Sequence, residues 1–97
     1  MKPSEALRLH RKDICQIVET YKARNPRIFG SVLHGVDTEE SDLDLLVEPT
    51  SQTSLLDISK MQNRLEALLG VPVDVLTPKA LPHDFREKVI AEATKVL

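Results

Sequence analysis

The chain has one cysteine, one tyrosine, two phenylalanines and no tryptophan, and it has no apolar run of membrane-spanning length. A lone Cys15 excludes an internal disulfide, and no metal-binding or redox spacing involves it. Lying within a helical pattern, it reads as a buried, inert thiol in a reducing compartment. The absence of a signal-peptide pattern and of a spanning segment leads us to expect a cytoplasmic protein with no membrane partner. Basic residues are not in excess, because 13 Lys and Arg stand against 15 Asp and Glu for a net charge of −2. That balance lacks the electrostatic footprint of a nucleic-acid binder. At 97 residues the chain can build one domain, 1–97, around one modest core. Internal repeats and low-complexity segments are also missing.

Against these absences stands a pair of carboxylates. In Ser41-Asp42-Leu43-Asp44-Leu45-Leu46-Val47-Glu48 the Leu- and Val-rich run reads as a buried strand. Side chains two apart on a strand share a face, so Asp42 and Asp44 point one way and Leu43 and Leu45 the other. Two like charges held this close repel, and burying them unpaired costs several kcal/mol, roughly, which makes a purely structural role a poor explanation. Mg²⁺ removes the objection. It is a hard ion that takes one or two carboxylates and completes its octahedron with water and phosphate oxygens.

Upstream, Arg27-Ile28-Phe29 reads as a short strand ending at Gly30-Ser31, ten intervening residues before Asp42, and Ser31 through Gly35 has the length of one or two helical turns. Glycine lets a backbone approach a phosphate, the first helical N–H groups point at it, and the serine hydroxyl adds a donor. A lone Gly-Ser is usually no more than a capped helix start. Followed by Asp-x-Asp on a strand, it reads as a phosphate-holding turn.

A third carboxylate lies further on. Val71, Val73 and Val75 alternate with Asp74 between Gly70-Val71-Pro72 and Thr77-Pro78, the pattern of a strand with Asp74 on its second face. Beside the Asp42/Asp44 strand, Asp74 could hold a second metal ion or accept a proton from an attacking hydroxyl, and the residues leave both roles open.

The remaining elements frame these motifs. A first helix is expected from Pro3-Ser4-Glu5 through Ile14, Ile17, Val18 and Tyr21, stopped by Asn25-Pro26. Arg8, His10, Arg11, Lys12, Lys22, Arg24 and Arg27 concentrate positive charge in this first third, as a solvated face or as a patch for a triphosphate or an acidic partner. Pro49 to Ser54 reads as a polar loop. Ile58, Met61, Leu65, Leu68 and Leu69 mark an amphipathic helix closed by Gly70. A last helix from about Pro82 is expected to present Phe85, Val89, Ile90 and Ala93 on one face, with His83 and Asp84 as an ordinary helix start. The alternation of elements predicts an α/β (α+β) fold, a mixed sheet of three to five strands with helices mainly on one face and the acidic site on the open face.

Gly30-Ser31, ten intervening residues, Asp42-Leu43-Asp44 and then Asp74 one strand later resemble the nucleotidyltransferase superfamily that shares the DNA polymerase β palm. The segment Arg27 to Val47 is similar to that of the minimal nucleotidyltransferases, many of which are antitoxins encoded beside a small all-helical HEPN ribonuclease toxin. The resemblance implies ATP with its phosphates over Gly30 and Ser31, two Mg²⁺ ions held by Asp42, Asp44 and Asp74, and transfer of AMP to a hydroxyl with loss of pyrophosphate. It also implies the acceptor, a tyrosine of the partner toxin. Relatives often carry a basic residue, commonly Arg, where this chain has His34, so a triphosphate contact there is weaker or pH-dependent, or His34 only covers the short helix. Two other readings stand beside this one. One is the catalytic subunit of a small-molecule or tRNA nucleotidyltransferase, and the other is a non-catalytic antitoxin that neutralises its partner by occlusion.

Overall fold

Leu43, Leu45 and Val47 alternate along one strand and are fully buried, which makes that strand the centre of the protein. The computed structural model describes residues 1–97. In chain order the elements are α1 (Pro3–Leu9), α2 (Arg11–Thr20), β1 (Ala23–Phe29), α3 (Gly30–Leu33), β2 (Leu43–Pro49), α4 (Leu55–Leu69) and β3 (Val73–Leu76). A 3-10 turn (Pro78–Ala80), α5 (Arg86–Glu92) and β4 (Thr94–Lys95) complete the chain. The sheet order is β3-β2-β1-β4, with β2 and β3 parallel and β1 antiparallel to both β2 and β4. The expected mixed sheet is therefore present, with four strands.

One face of this sheet carries the main core. Ile28, Leu43, Leu45, Val47, Val73 and Val75 pack with Ile14 and Val18 of α2 and with Met61, Leu65 and Leu69 of α4. α4 is fixed at both ends. Ser54 Oγ accepts the Asp57 N–H at 3.1 Å while Asp57 Oδ2 accepts the Ser54 N–H at 2.9 Å, and Gly70 closes the helix with φ +69°. Cys15 packs at the margin of this core, partly buried rather than fully buried as expected, and burial and then the charge of Glu19 push its thiol pKa up, which favours the neutral thiol.

The opposite face carries Asp44, Leu46, Asp74 and Leu76, and it is not wholly open as the alternation predicts. Leu46 is fully buried there and does not belong to the main core cluster. The chain after β3 explains this, because the Pro78–Ala80 turn packs against β2 and Leu81 is 3 % exposed. Arg86 Nη2 holds that crossing by donating to the carbonyls of Lys79 and Leu81, each at 3.1 Å.

Three local expectations are corrected, and one strand is new. The first helix is two helices, broken at His10 (φ −129°, ψ 25°), whose ring Nδ1 lies 3.0 Å from Asp13 Oδ2 at the start of α2. Asn25-Pro26 does not stop the helix, which ends at Thr20. The pair lies inside β1, where the β1–β2 register shifts between Arg24 and Arg27. Such a bulge tolerates a proline because it has no ladder N–H to supply. The last helix begins at Arg86 rather than Pro82 and buries none of its residues, leaving Phe85 and Ile90 exposed. Finally, β4 is short and polar, without the apolar alternation that announces a strand.

The seven basic residues of the first third also divide their work. Arg11 donates to the Val96 carbonyl at 2.6 Å and Arg27 pairs with Glu48 at 3.4 Å. No helix is long and apolar enough to cross a membrane.

Candidate active site

Strand register builds the site. Phe29 of β1 lies opposite Asp44 of β2, and Asp44 lies opposite Asp74 of β3, so these three residues form one row across the sheet. Opposed residues on neighbouring strands share a face, with strands about 4.8 Å apart, so the row sets an aromatic ring and a second carboxylate on either side of Asp44. Asp42 sits one residue before β2, exposed, on the same side by the two-residue period.

Asp44 is partly buried while Asp42 and Asp74 are exposed. Burial, then the charge of Asp74, then that of Asp42 push the Asp44 pKa up from the ordinary carboxylate value to about 6, and no hydrogen bond offsets them. A carboxylate left in this condition is an anionic site short of a cation. The three carboxylates are not drawn into a closed three-ligand cluster with one another or with any His, Cys or Glu. This open arrangement fits Mg²⁺, which binds through one or two carboxylates and fills its octahedron with water and phosphate.

Immediately above Asp44 lies the glycine turn. β1 ends at Phe29, and Gly30 adopts φ +72°, a left-handed conformation that β-carbon residues rarely take. A Cβ on Gly30 would collide with Asp44 Oδ2 and lie 3.1 Å from Asp44 Cγ. Glycine here is thus required twice, by the turn and by the approach of the backbone to the carboxylate. Ser31 follows in α3, a single turn in which the His34 N–H donates to the Gly30 carbonyl at 3.1 Å. The amides and hydroxyl at the head of this turn stand next to the acidic row, so potential phosphate donors and cation ligands lie side by side.

His34 is the one expected site residue with another partner. Its Nε2 lies 3.4 Å from Glu92 Oε2 at the end of α5. Glu92 is absent from the sequence reading. Nothing in the residues themselves signals it, since a two-residue strand carries it to the site from the far end of the chain. A cleft of about 580 Å³ opens at the other end of β1 and β2, lined by Glu19, Lys22, Arg24, Asn25, Thr50 and neighbours, and includes none of the predicted site residues.

A mixed sheet with paired carboxylates beside a Gly-Ser turn defines an enzyme of the nucleotidyl-transfer class. Residues 7–97 match the family model described as nucleotidyltransferase domain, and the chain belongs to that family. A solved structure described as a minimal nucleotidyltransferase is 40% identical, with a TM-score of 0.82 over 93% of this chain and 92% of that one. Protein adenylyltransferase MntA of Thermococcus cleftensis is 33% identical over 90 residues, which span 93% of this chain and 88% of that protein. The same fold, at 15% identity and a TM-score of 0.69, occurs in an MNT antitoxin structure with a HEPN toxin of Shewanella oneidensis, covering 94% of this chain and 71% of that one.

Proposed function

We propose that this chain is a Mg²⁺-dependent protein adenylyltransferase that moves AMP from ATP to a tyrosine hydroxyl of a HEPN ribonuclease toxin, and that the modification makes it an antitoxin. The observation that carries the reading is the Asp44–Asp74 row pressed against Gly30, which supplies cation ligands and a phosphate turn at one point. Support for the chemistry comes from the similarity to a protein named as a protein adenylyltransferase. Support for the partner comes from the Shewanella oneidensis neighbour, whose toxin is tri-AMPylated.

In this reading Gly30 and Ser31 bind the nucleotide phosphates through backbone N–H groups and the serine hydroxyl. Asp42, Asp44 and Asp74 are the residues that would hold Mg²⁺, which when bound neutralises phosphate charge and favours an ionised acceptor hydroxyl. The acceptor oxygen bonds to the α-phosphorus as the bond from that phosphorus to the β-phosphate bridge breaks, and pyrophosphate leaves. In the same reading Asp74 takes the hydroxyl proton as a protein acceptor arrives, a role its exposure supports. ATP, Mg²⁺ and a ribonuclease partner put this reaction in the cytoplasm.

Co-expression with a HEPN toxin encoded in the same gene neighbourhood separates catalysis from occlusion. The unaltered protein is expected to restore growth, and Asp44→Asn, which keeps the docking surface, is expected to leave the toxin active. Equal protection by both proteins would mean that occlusion, not transfer, silences the toxin.

A further inference from the structure

Glu92 reaches the phosphate turn through the pairing of the last strand. Thr94 lies opposite Ile28 and Lys95 opposite Arg27 in the antiparallel β1–β4 pair. Two residues before Thr94, Glu92 ends α5, so this pairing holds the C-terminal end of that helix near the end of β1, where Gly30 follows. The segment is anchored from the other side too, since the Val96 N–H donates to the Pro26 carbonyl at 3.0 Å and the Val96 carbonyl accepts from Arg11.

His34 approaches the same point from the C-cap of α3. It stands one helical turn after Gly30, and a helical side chain covers the surface over the turn preceding its own Cα, which here is Gly30-Ser31. The imidazole that could meet a phosphate is held instead by a carboxylate, Nε2 to Oε2 at 3.4 Å, with the two side chains 56% and 37% exposed.

We propose that Glu92 is an affinity-setting residue for the nucleotide, a competing anion that occupies His34 across the phosphate turn and must yield it to the incoming polyphosphate. This rests on the assignment of Gly30 and Ser31 to the nucleotide. Glu92 acts in two ways with one sign: it withholds His34 from the phosphates, and it adds a negative charge where they bind. Because both side chains are solvated, the effect is that of a surface ion pair.

Direct binding of ATP with Mg²⁺ tests the idea without any acceptor. Glu92→Gln is expected to lower the Kd for ATP by about two- to fivefold, with a smaller gain for AMP, which carries less charge over the turn. In a His34→Gln background the same substitution is expected to gain less, because no imidazole remains to be released. An unchanged or raised Kd in Glu92→Gln, with an unaltered melting temperature, would overturn the proposal, as would equal gains for ATP and AMP. If Glu92→Gln destabilises the end of α5, Glu92→Asp serves in its place, since its shorter side chain weakens the hold on His34 and predicts a gain of the same sign. Failure of the unaltered protein to bind ATP at all would instead remove the nucleotide assignment itself.

Discussion

Asp44→Asn is expected to remove nucleotidyl transfer and, in metal-free protein, to raise stability. The first effect follows from the position of Asp44, the one carboxylate of the row that touches both Asp74's neighbourhood and the Gly30 turn. Removing a fixed charge that organises the transition state costs roughly 10²–10³-fold or more. The second effect follows from the raised pKa of about 6. Between about pH 4, where the unfolded carboxyl titrates, and pH 6, the folded protein binds more protons than the unfolded one. Stability therefore falls as pH rises through that window, and the full deficit is present at pH 7. Discounted for partial exposure, it amounts to about 1–2 kcal/mol, or a rise of roughly 5–10 °C in Tm for the asparagine variant at pH 7. Thermal melts in EDTA at pH 4.5 and 7.5 check this, with a clearly larger gain expected at the higher pH. The same protonation predicts that Mg²⁺ binding weakens below about pH 6, because cation and proton compete for one carboxylate. A variant no more stable than the parent at pH 7.5 would show that Asp44 is not held at a cost.

The second large effect is expected at Gly30. Replacing it by alanine forces a β-carbon residue to φ +72° and drives that carbon into the Asp44 carboxylate. The backbone term costs about 1–2 kcal/mol and the overpacking about 1–3 kcal/mol, so a loss of about 2–5 kcal/mol is expected together with loss of nucleotide binding. Gly35 is the control. Its φ is +70° but nothing lies within 4 Å of a Cβ there, so Gly35→Ala carries the backbone term alone. In an Asp44→Ala background most of the collision disappears, and Gly30→Ala is expected to cost about what Gly35→Ala costs. Denaturant unfolding of the four variants measures this. Equal losses for Gly30→Ala and Gly35→Ala in the unaltered background would refute the contact on which the site is built.

These predictions draw on features of unequal visibility. The alternation of Leu43, Asp44 and Leu45, and of Val73, Asp74 and Val75, is strictly local, so both faces of β2 and β3 can be read from the residues alone. The same holds for α4, where Ser54, Asp57 and Gly70 mark both ends. Other features depend on tertiary contacts. Lys22 and Asn25 take positive φ values of 68° and 50°, and Thr50 and Thr53 fix the Lys22 carbonyl with their hydroxyls from a distant loop. No local signal shows that a strand runs through Asn25-Pro26. The apolar period of Phe85, Val89 and Ile90 predicts a packed helix face, but Phe85 and Ile90 are exposed and Val89 is only partly buried, because no other element covers that face.

Of the site, Gly30, Ser31, Asp42, Asp44 and Asp74 are legible because a phosphate turn and a carboxylate pair at fixed spacing have few other physical explanations. His34 is legible only as a position. Its partner Glu92 ends α5 just before β4, and a two-residue strand of threonine and lysine leaves no trace in hydrophobic pattern.

The central claim is nucleotidyl transfer, and ATP labelled on the α- or the γ-phosphate tests it most directly. The purified protein is incubated with Mg²⁺, each labelled ATP in turn and the HEPN toxin, with Asp44→Asn as the control. The account predicts label on the toxin from the α-position only, absent with Asp44→Asn. Label from the γ-position, or no label despite a stable complex with the toxin, would contradict it.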